Sequence, residues 1–267
     1  MVILADVSVL RFCYISDYLG DVSKPNTLSY RLLQNIQDIK GAPPTIRIGG
    51  NTQDVAKYCP TCLETLNSSF TGTDTEATNV SFNSNLFRVL NENVPSEQQY
   101  TFGLNLGQDD VKIPLAEIAA AQEYLNLTRL RYYELGNEPD FYATRRRIRP
   151  SSWNVAAYAQ QSVSYLQQLI ASLGQQNHPG FMYGSLANFP RSQDFSISTL
   201  ARLGVNKLVP DIAAFSDHLY FGEVCTRKSL HPWADSACLI LCSCWSSADH
   251  YSSVPEPSQH TRRCYRF

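Results

Sequence analysis

Segments of strand character alternate with segments of helical character along most of this chain, and that alternation restricts it to parallel strands joined by crossover helices. The strand-like runs fall at residues 9 to 15, 45 to 48, 100 to 106, 130 to 135, 181 to 186 and 212 to 216. Between the first two, Leu28, Leu32, Leu33, Ile36 and Ile39 recur at helical spacing, and Gly41 ends the helix. Pro114 suits the first turn of a helix over 114 to 126, and Ser151 or Ser152 can cap a long helix that reaches Leu173. A further helix covers 196 to 203. The stretch 53 to 82, rich in Thr, Ser and Asn, reads as an elaborated loop before a helix over 85 to 93. Six such units take about 222 residues, about 37 each, so the expected class is α/β: a (β/α)8 TIM barrel, incomplete at about six βα units. Residues 1–222 then form the partial barrel and 223–267 an irregular Cys/Ser-rich tail, most simply explained as a truncated or misread gene model after about residue 221.

Composition narrows the partners. The 267 residues are 43% hydrophobic, enough to bury a full core, and carry a formal net charge of −2. With no basic face to offer, the chain suggests neither nucleic acid nor an anionic membrane as partner. Charge or glycine breaks every apolar run well short of a membrane span. Asp6 and Arg11 interrupt the apolar start, and no small-residue cleavage site follows, so it fails as a signal peptide. Asn67, Asn79 and Asn126 each begin an N-glycosylation sequon, usable in the secretory pathway. Oligomeric state is open.

The chemistry concentrates at Glu134-Leu135-Gly136-Asn137-Glu138-Pro139-Asp140. Most glycoside hydrolysis needs two carboxylic acids about the scissile bond, one protonated to release the leaving oxygen. Glu138 closes the fourth strand, on the face where barrel enzymes place their chemistry, and Pro139 fixes the turn that lifts it out of the strand. Asn137 can hydrogen-bond a sugar hydroxyl. The bland alternative is a polar turn. Asn51, Thr52 and Asp54 follow the second strand and either bind hydroxyls or hold their own turn. Arg47 and Glu134 both point into the barrel, where an unpaired charge is costly, so they are expected to lie together. That pair either supports the strands or adjusts the acidity of the catalytic carboxylates. His218 and Tyr220, ending the sixth strand, can contact substrate or the second carboxylate, or serve as hydrogen-bonded core residues.

Two segments carry a family resemblance. Arg47-Ile48-Gly49-Gly50-Asn51-Thr52-Gln53-Asp54 and Tyr133-Glu134-Leu135-Gly136-Asn137-Glu138-Pro139-Asp140-Phe141-Tyr142 resemble glycoside hydrolase family 79, which includes fungal β-glucuronidases and heparanase-like enzymes. Phe12-Cys13-Tyr14-Ile15-Ser16-Asp17-Tyr18-Leu19-Gly20-Asp21 resembles its first strand and loop, so the likeness spans residues 9 to 222. The resemblance implies a secreted, retaining β-glycosidase of β-glucuronidase type acting on a carbohydrate substrate without cofactor or metal. Glu138 would be general acid and then base, with Asn137, Asn51, His218 and Tyr220 as substrate contacts. It also implies a nucleophilic Glu after a seventh strand and a C-terminal β-sandwich. Here the sandwich is absent, and neither Glu223 nor Glu256 has that setting, so very low turnover is expected. A non-catalytic carbohydrate-binding protein is the rival reading.

Eight cysteines are present, five of them from Cys225 onward. Cys59-Pro60-Thr61-Cys62 has the spacing of redox and zinc sites, but no further ligands accompany it, which favours a loop disulfide. A thiol or metal protein is a third, weaker reading.

Overall fold

A computed structural model of the chain describes residues 7–72, 76–174, 178–187, 194–220 and 240–246, with the backbone alone at 7–8, 219–220 and 240–246. Six strands lie parallel in chain order: β1 (Val7–Arg11), β2 (Thr45–Gly49), β3 (Gln99–Leu104), β4 (Leu130–Leu135), β5 (Gly180–Leu186) and β6 (Ile212–Tyr220). The crossovers carry α1 (Thr27–Lys40), α2 (Asn85–Glu92), α3 (Lys112–Tyr124), α4 (Val155–Leu173) and α5 (Ile197–Arg202). This is a mixed α/β chain with a six-stranded parallel core, as the alternation requires.

The tail departs from expectation. It contributes a strand, β7 (Ile240–Ser246), antiparallel to β6 with Ser216 opposite Cys244. Its Ile240-Leu241-Cys242-Ser243-Cys244-Trp245 run is short and largely apolar, and the free N–H and C=O groups along β6 offer it a partner.

β1 stops at Arg11, sooner than the apolar run suggests. Phe12, Cys13, Ile15 and Leu19 are all buried at helical rather than alternating spacing, so the chain turns into a 3-10 helix (Phe12–Tyr14) and a short α-helix (Ile15–Leu19). In α1 the Asn26 side chain caps the N–H groups of Leu28 and Ser29, and Gly41 closes the helix at φ 77°. Its apolar stripe is only partly used. Leu33 packs against the core, while Leu28, Leu32 and Ile39 are 66%, 53% and 78% exposed. The cap of α4 is Asn154, whose Oδ1 accepts from Ala156 and Ala157 N–H at 3.0 Å, and neither Ser151 nor Ser152 fills that place.

The polar insertion after β2, expected to be loop, builds its own three-stranded sheet from Ala56–Tyr58, Ala77–Phe82 and Leu66–Phe70, in that order. The reason lies in Ala56, Ala77, Val80 and Phe82, which are buried among otherwise polar neighbours. Phe82 anchors the sheet to the main core through Phe12, 5.1 Å between ring centroids, and through Phe87 and Phe102. Cys59 and Cys62 are joined as a disulfide with Cα atoms 5.4 Å apart.

One buried group works against the core around it. Glu117 of α3 is fully buried; Oε2 accepts the Asn105 N–H at 2.9 Å, while Oε1 meets no donor among the described residues. Burial pushes this carboxyl well above its ordinary value, and nearby Asp54 adds to the shift. A raised folded-state pKa means the native state holds the proton longer than the unfolded chain. Stability is therefore fullest below the ordinary carboxylate range and falls as pH rises from there toward the folded value. Glu117→Gln removes that loss, so its stability relative to wild type should climb between pH 4 and 8, measured by urea denaturation at each pH.

Candidate active site

Arg47 on β2 and Glu134 on β4 meet across β3, both almost fully buried, with Arg47 Nε and Nη2 each 2.5 Å from Glu134 Oε2. Glycine leaves room beside the pair for Gln53. Gly103 stands beside Glu134 in the ladder, and a Cβ there would collide with the Gln53 amide and come within 2.8 Å of the Ile48 carbonyl. The other oxygen of Glu134 accepts from the Ser185 hydroxyl on β5, and Arg47 Nη2 donates to Asn137 Oδ1 at 2.9 Å. The expected pairing of Arg47 with Glu134 is present, and it reaches one step further to hold Asn137.

Beyond β4 the chain makes an unusual turn. Gly136 sits at φ 79°, where a Cβ would lie 2.8 Å from the Tyr142 hydroxyl. Glu138 itself adopts φ 53°, ψ 54°, left-handed backbone that a non-glycine residue occupies at a cost of roughly 1–3 kcal/mol. Its N–H donates to the carbonyl of Ser185, also left-handed at φ 48°, over 2.9 Å. The paired strain turns the Glu138 carboxyl toward β6, where Oε1 lies 3.0 Å from His218 Nδ1. Glu138 and His218 are 8% and 4% exposed, so this acid sits in a nearly dry setting.

The mouth residues come together as a chain of contacts. Asn137 Nδ2 donates to Asn51 Oδ1 at 2.8 Å, and Asn51 Nδ2 donates to both oxygens of Glu76 at 2.8 and 3.0 Å. Because Arg47 can only donate, Asn137 must turn its carbonyl oxygen inward, which leaves the amide N–H groups for Asn51 and the mouth. Tyr220 ends β6, and its side chain lies outside the described residues. Thr52 and Asp54 take partners distant in the chain: Thr52 accepts the Cys13 N–H at 3.3 Å, and Asp54 is wholly buried.

Sequence reasoning missed Arg146. It forms an ion pair with Asp54 and donates to the carbonyls of Asn51 at 3.1 Å and Asn137 at 3.3 Å, tying the loops after β2 and β4 to one guanidinium. Asp54 in turn accepts the N–H groups of Leu106 and Asn137, each at 3.3 Å. Burial pushes the Asp54 carboxyl above its ordinary value, against the pull of Arg146. Arg149 extends the same loop to the carbonyls of Leu106 and Gly107, and Trp153 Nε1 donates back to Pro139 O at 2.8 Å. In the sequence, Arg145-Arg146-Arg147 reads as a solvated charge run, with nothing to single out its middle member.

Among the described residues no cluster of His, Cys, Asp and Glu could hold a metal ion, and no helix is long and apolar enough to cross a membrane. A parallel sheet with a carboxylic acid raised at the C-terminal end of its fourth strand puts that acid on the face where α/β-barrel enzymes carry their chemistry. The chain is similar to β-glucuronidases, in keeping with the resemblance of its two motifs to family 79. The chain is 35% identical over 159 residues to a β-glucuronidase of Aspergillus niger and 33% identical over 159 residues to one of Neurospora crassa. Each alignment takes in 57% of this chain but only 29% and 28% of the relatives, so the match spans less than a third of their length. The solved structure of a 4-O-α-L-rhamnosyl-β-D-glucuronidase from Fusarium oxysporum 12S shares the fold, with a TM-score of 0.65 at 23% identity, covering 81% of this chain and 44% of that one. No protein-family model matches the chain.

Two substitutions test the buried charges. Arg47→Met strands Glu134 in the interior and should cost about 3–5 kcal/mol in chemical denaturation, whereas Arg47→Met with Glu134→Met recovers most of that loss. Arg146→Met leaves Asp54 buried without its guanidinium. Its carboxyl then rises further, so the stability lost relative to wild type should be greater at pH 8 than at pH 5, measured by thermal melts at both.

Proposed function

We propose that Glu138 is the general acid, and then base, of a retaining β-glycosidase site of β-glucuronidase type, carried on a (β/α)8 barrel of which residues 1–222 supply about six units. One observation carries the reading: a carboxylic acid held in left-handed backbone at the end of β4, nearly buried, and hydrogen-bonded to His218 across the strand ends. A general acid must stand within hydrogen-bond reach of the leaving oxygen, and the left-handed backbone turns the Glu138 carboxyl toward the strand ends where a sugar would lie. Asn137, Asn51, His218 and Tyr220 would contact the sugar, with Arg47 and Glu134 in support. The two amides already joined, Asn137 to Asn51, favour a mouth that reads hydroxyl groups. Neither a cofactor nor a metal enters this chemistry.

An extracellular setting fits the same reading. Asn67, Asn79 and Asn126 are all exposed, as glycosylation would need, and the Cys59–Cys62 disulfide suits an oxidising compartment.

The partner carboxylate belongs about 5 to 5.5 Å from Glu138 in a retaining site. Glu223 and Glu256 both lie outside the described residues. We further propose that neither serves, so that these residues alone turn over substrate very slowly. Added azide can then take the nucleophile's place on an aryl β-glucuronide. It attacks the anomeric carbon, the bond to the aryl oxygen breaks, and Glu138 gives that oxygen its proton. The expected result is glucuronosyl azide of inverted configuration, formed only when azide is present. Glu138→Gln should slow release of poor leaving groups by about 10²–10⁴-fold. Binding of the glucuronide with no cleavage under azide would point instead to a non-catalytic carbohydrate-binding protein. Hydrolysis without azide would show that the chain holds its own nucleophile.

A further inference from the structure

The outward face of α1 carries a pattern that the fold does not use. Leu28, Leu32, Asn35 and Ile39 follow one another at intervals of four, three and four residues, the spacing of a seam between two packed helices. The core lies on the opposite side, where Leu33 packs against it and Ile36 is half-buried. Leu28, Leu32 and Ile39 stand in water instead, and Asn35 among them is exposed too. The solvent face of a helix ordinarily carries charged or polar residues at such positions. Three large aliphatic side chains in one row mark a surface for a partner.

The charges beside the row say what that partner is. Arg31 and Asp38, both exposed, lie along one edge of the row, each immediately before one of its members. Gln34 donates to Asp38 Oδ1 at 2.9 Å, which fixes the carboxylate and occupies one of its two oxygens. A two-fold axis perpendicular to two facing helices reverses their direction but keeps the same edge of each on the same side. Two copies of α1 related in this way set Leu28 of one against Ile39 of the other, and Leu32 against Asn35. Arg31 of each copy then falls beside Asp38 of the other, so the same surface complements itself with two ion pairs. Side by side in parallel, Arg31 would meet Ile36 and gain no partner. Asn35 is the one polar member of the row and lies next to the axis, where a polar residue fixes register and orientation. The helix of a βαβ unit runs antiparallel to its strands, so the two sheets of such a pair point in opposite directions. The strand ends that carry Glu138 then open at opposite ends of the pair, and neither mouth is covered.

We propose that the outward face of α1 is a homodimer interface, occupied by α1 of a second copy of this chain in antiparallel register. A helix of 14 residues from each side buries less than about 1,200 Å² in total, so the association is weak and reversible. Sedimentation velocity of the full chain at rising concentration should resolve a monomer–dimer equilibrium, which Leu32→Glu abolishes. Arg31→Asp breaks both ion pairs and sets like charges together, so it should raise the dissociation constant about tenfold, and Asp38→Arg should do the same. Arg31→Asp combined with Asp38→Arg exchanges the charges within each pair and should return the constant to within about twofold of wild type. The substituted residues are exposed in the single chain, so thermal melts at low concentration should match wild type and report that each variant has folded. A wild-type chain that stays monomeric at every concentration overturns the interface and leaves the row to a different polypeptide. A dimer that survives Leu32→Glu lies on another surface, and a double variant no tighter than the single ones rejects the antiparallel register; either result overturns the proposal.

Discussion

A guanidinium and a carboxylate placed side by side between the strands of a sheet leave the rest of the chain little freedom. Arg47 and Glu134 are almost wholly removed from water, and neither charge could remain there alone. Their meeting turns the Ser185 hydroxyl onto the second oxygen of Glu134. It also obliges Asn137 to face its carbonyl inward, since Arg47 has only hydrogens to offer. One ion pair thus sets the orientation of the residue immediately before the acid.

Outside that pair, a second layer of charge holds the mouth. Arg146 and Asp54 join the loops after β2 and β4, Arg149 reaches the loop after β3, and Asp140 binds the end of β5. The loop from 139 to 154 is therefore tied to each neighbouring strand end rather than left free. Such restraint is what the left-handed backbone at Glu138 and Ser185 demands, because strained residues persist only where their surroundings over-determine them. The strain has a use. It turns the Glu138 carboxyl toward His218 instead of letting it follow the strand outward into water.

The polar insertion after β2 shows how the same site gains a rim. Its three short strands are pinned to the core by Phe82 against Phe12, and this brings Glu76 to Asn51. A run of Thr, Ser and Asn looks like loop because its outward residues are polar. Ala56, Ala77, Val80 and Phe82 hold it down, and among these just Val80 and Phe82 show the alternate spacing of a strand.

Periodicity and punctuation in the sequence determined the six parallel strands, the helices between them and the place of Glu138, since these depend on neighbours within a few residues. The pairing of Arg47 with Glu134 was also legible, because two charges on inward strand positions have nowhere else to go. Tertiary structure alone decided the rest. Arg146 in a run of three arginines, the left-handed Ser185, Asn154 as the cap of α4 and the strand at 240–246 all take their roles from partners distant in the chain. A side chain's neighbours along the sequence carry no record of such partners, and so the position of Glu138 at the end of a strand could be read from the chain while the framework that aims its carboxyl could not.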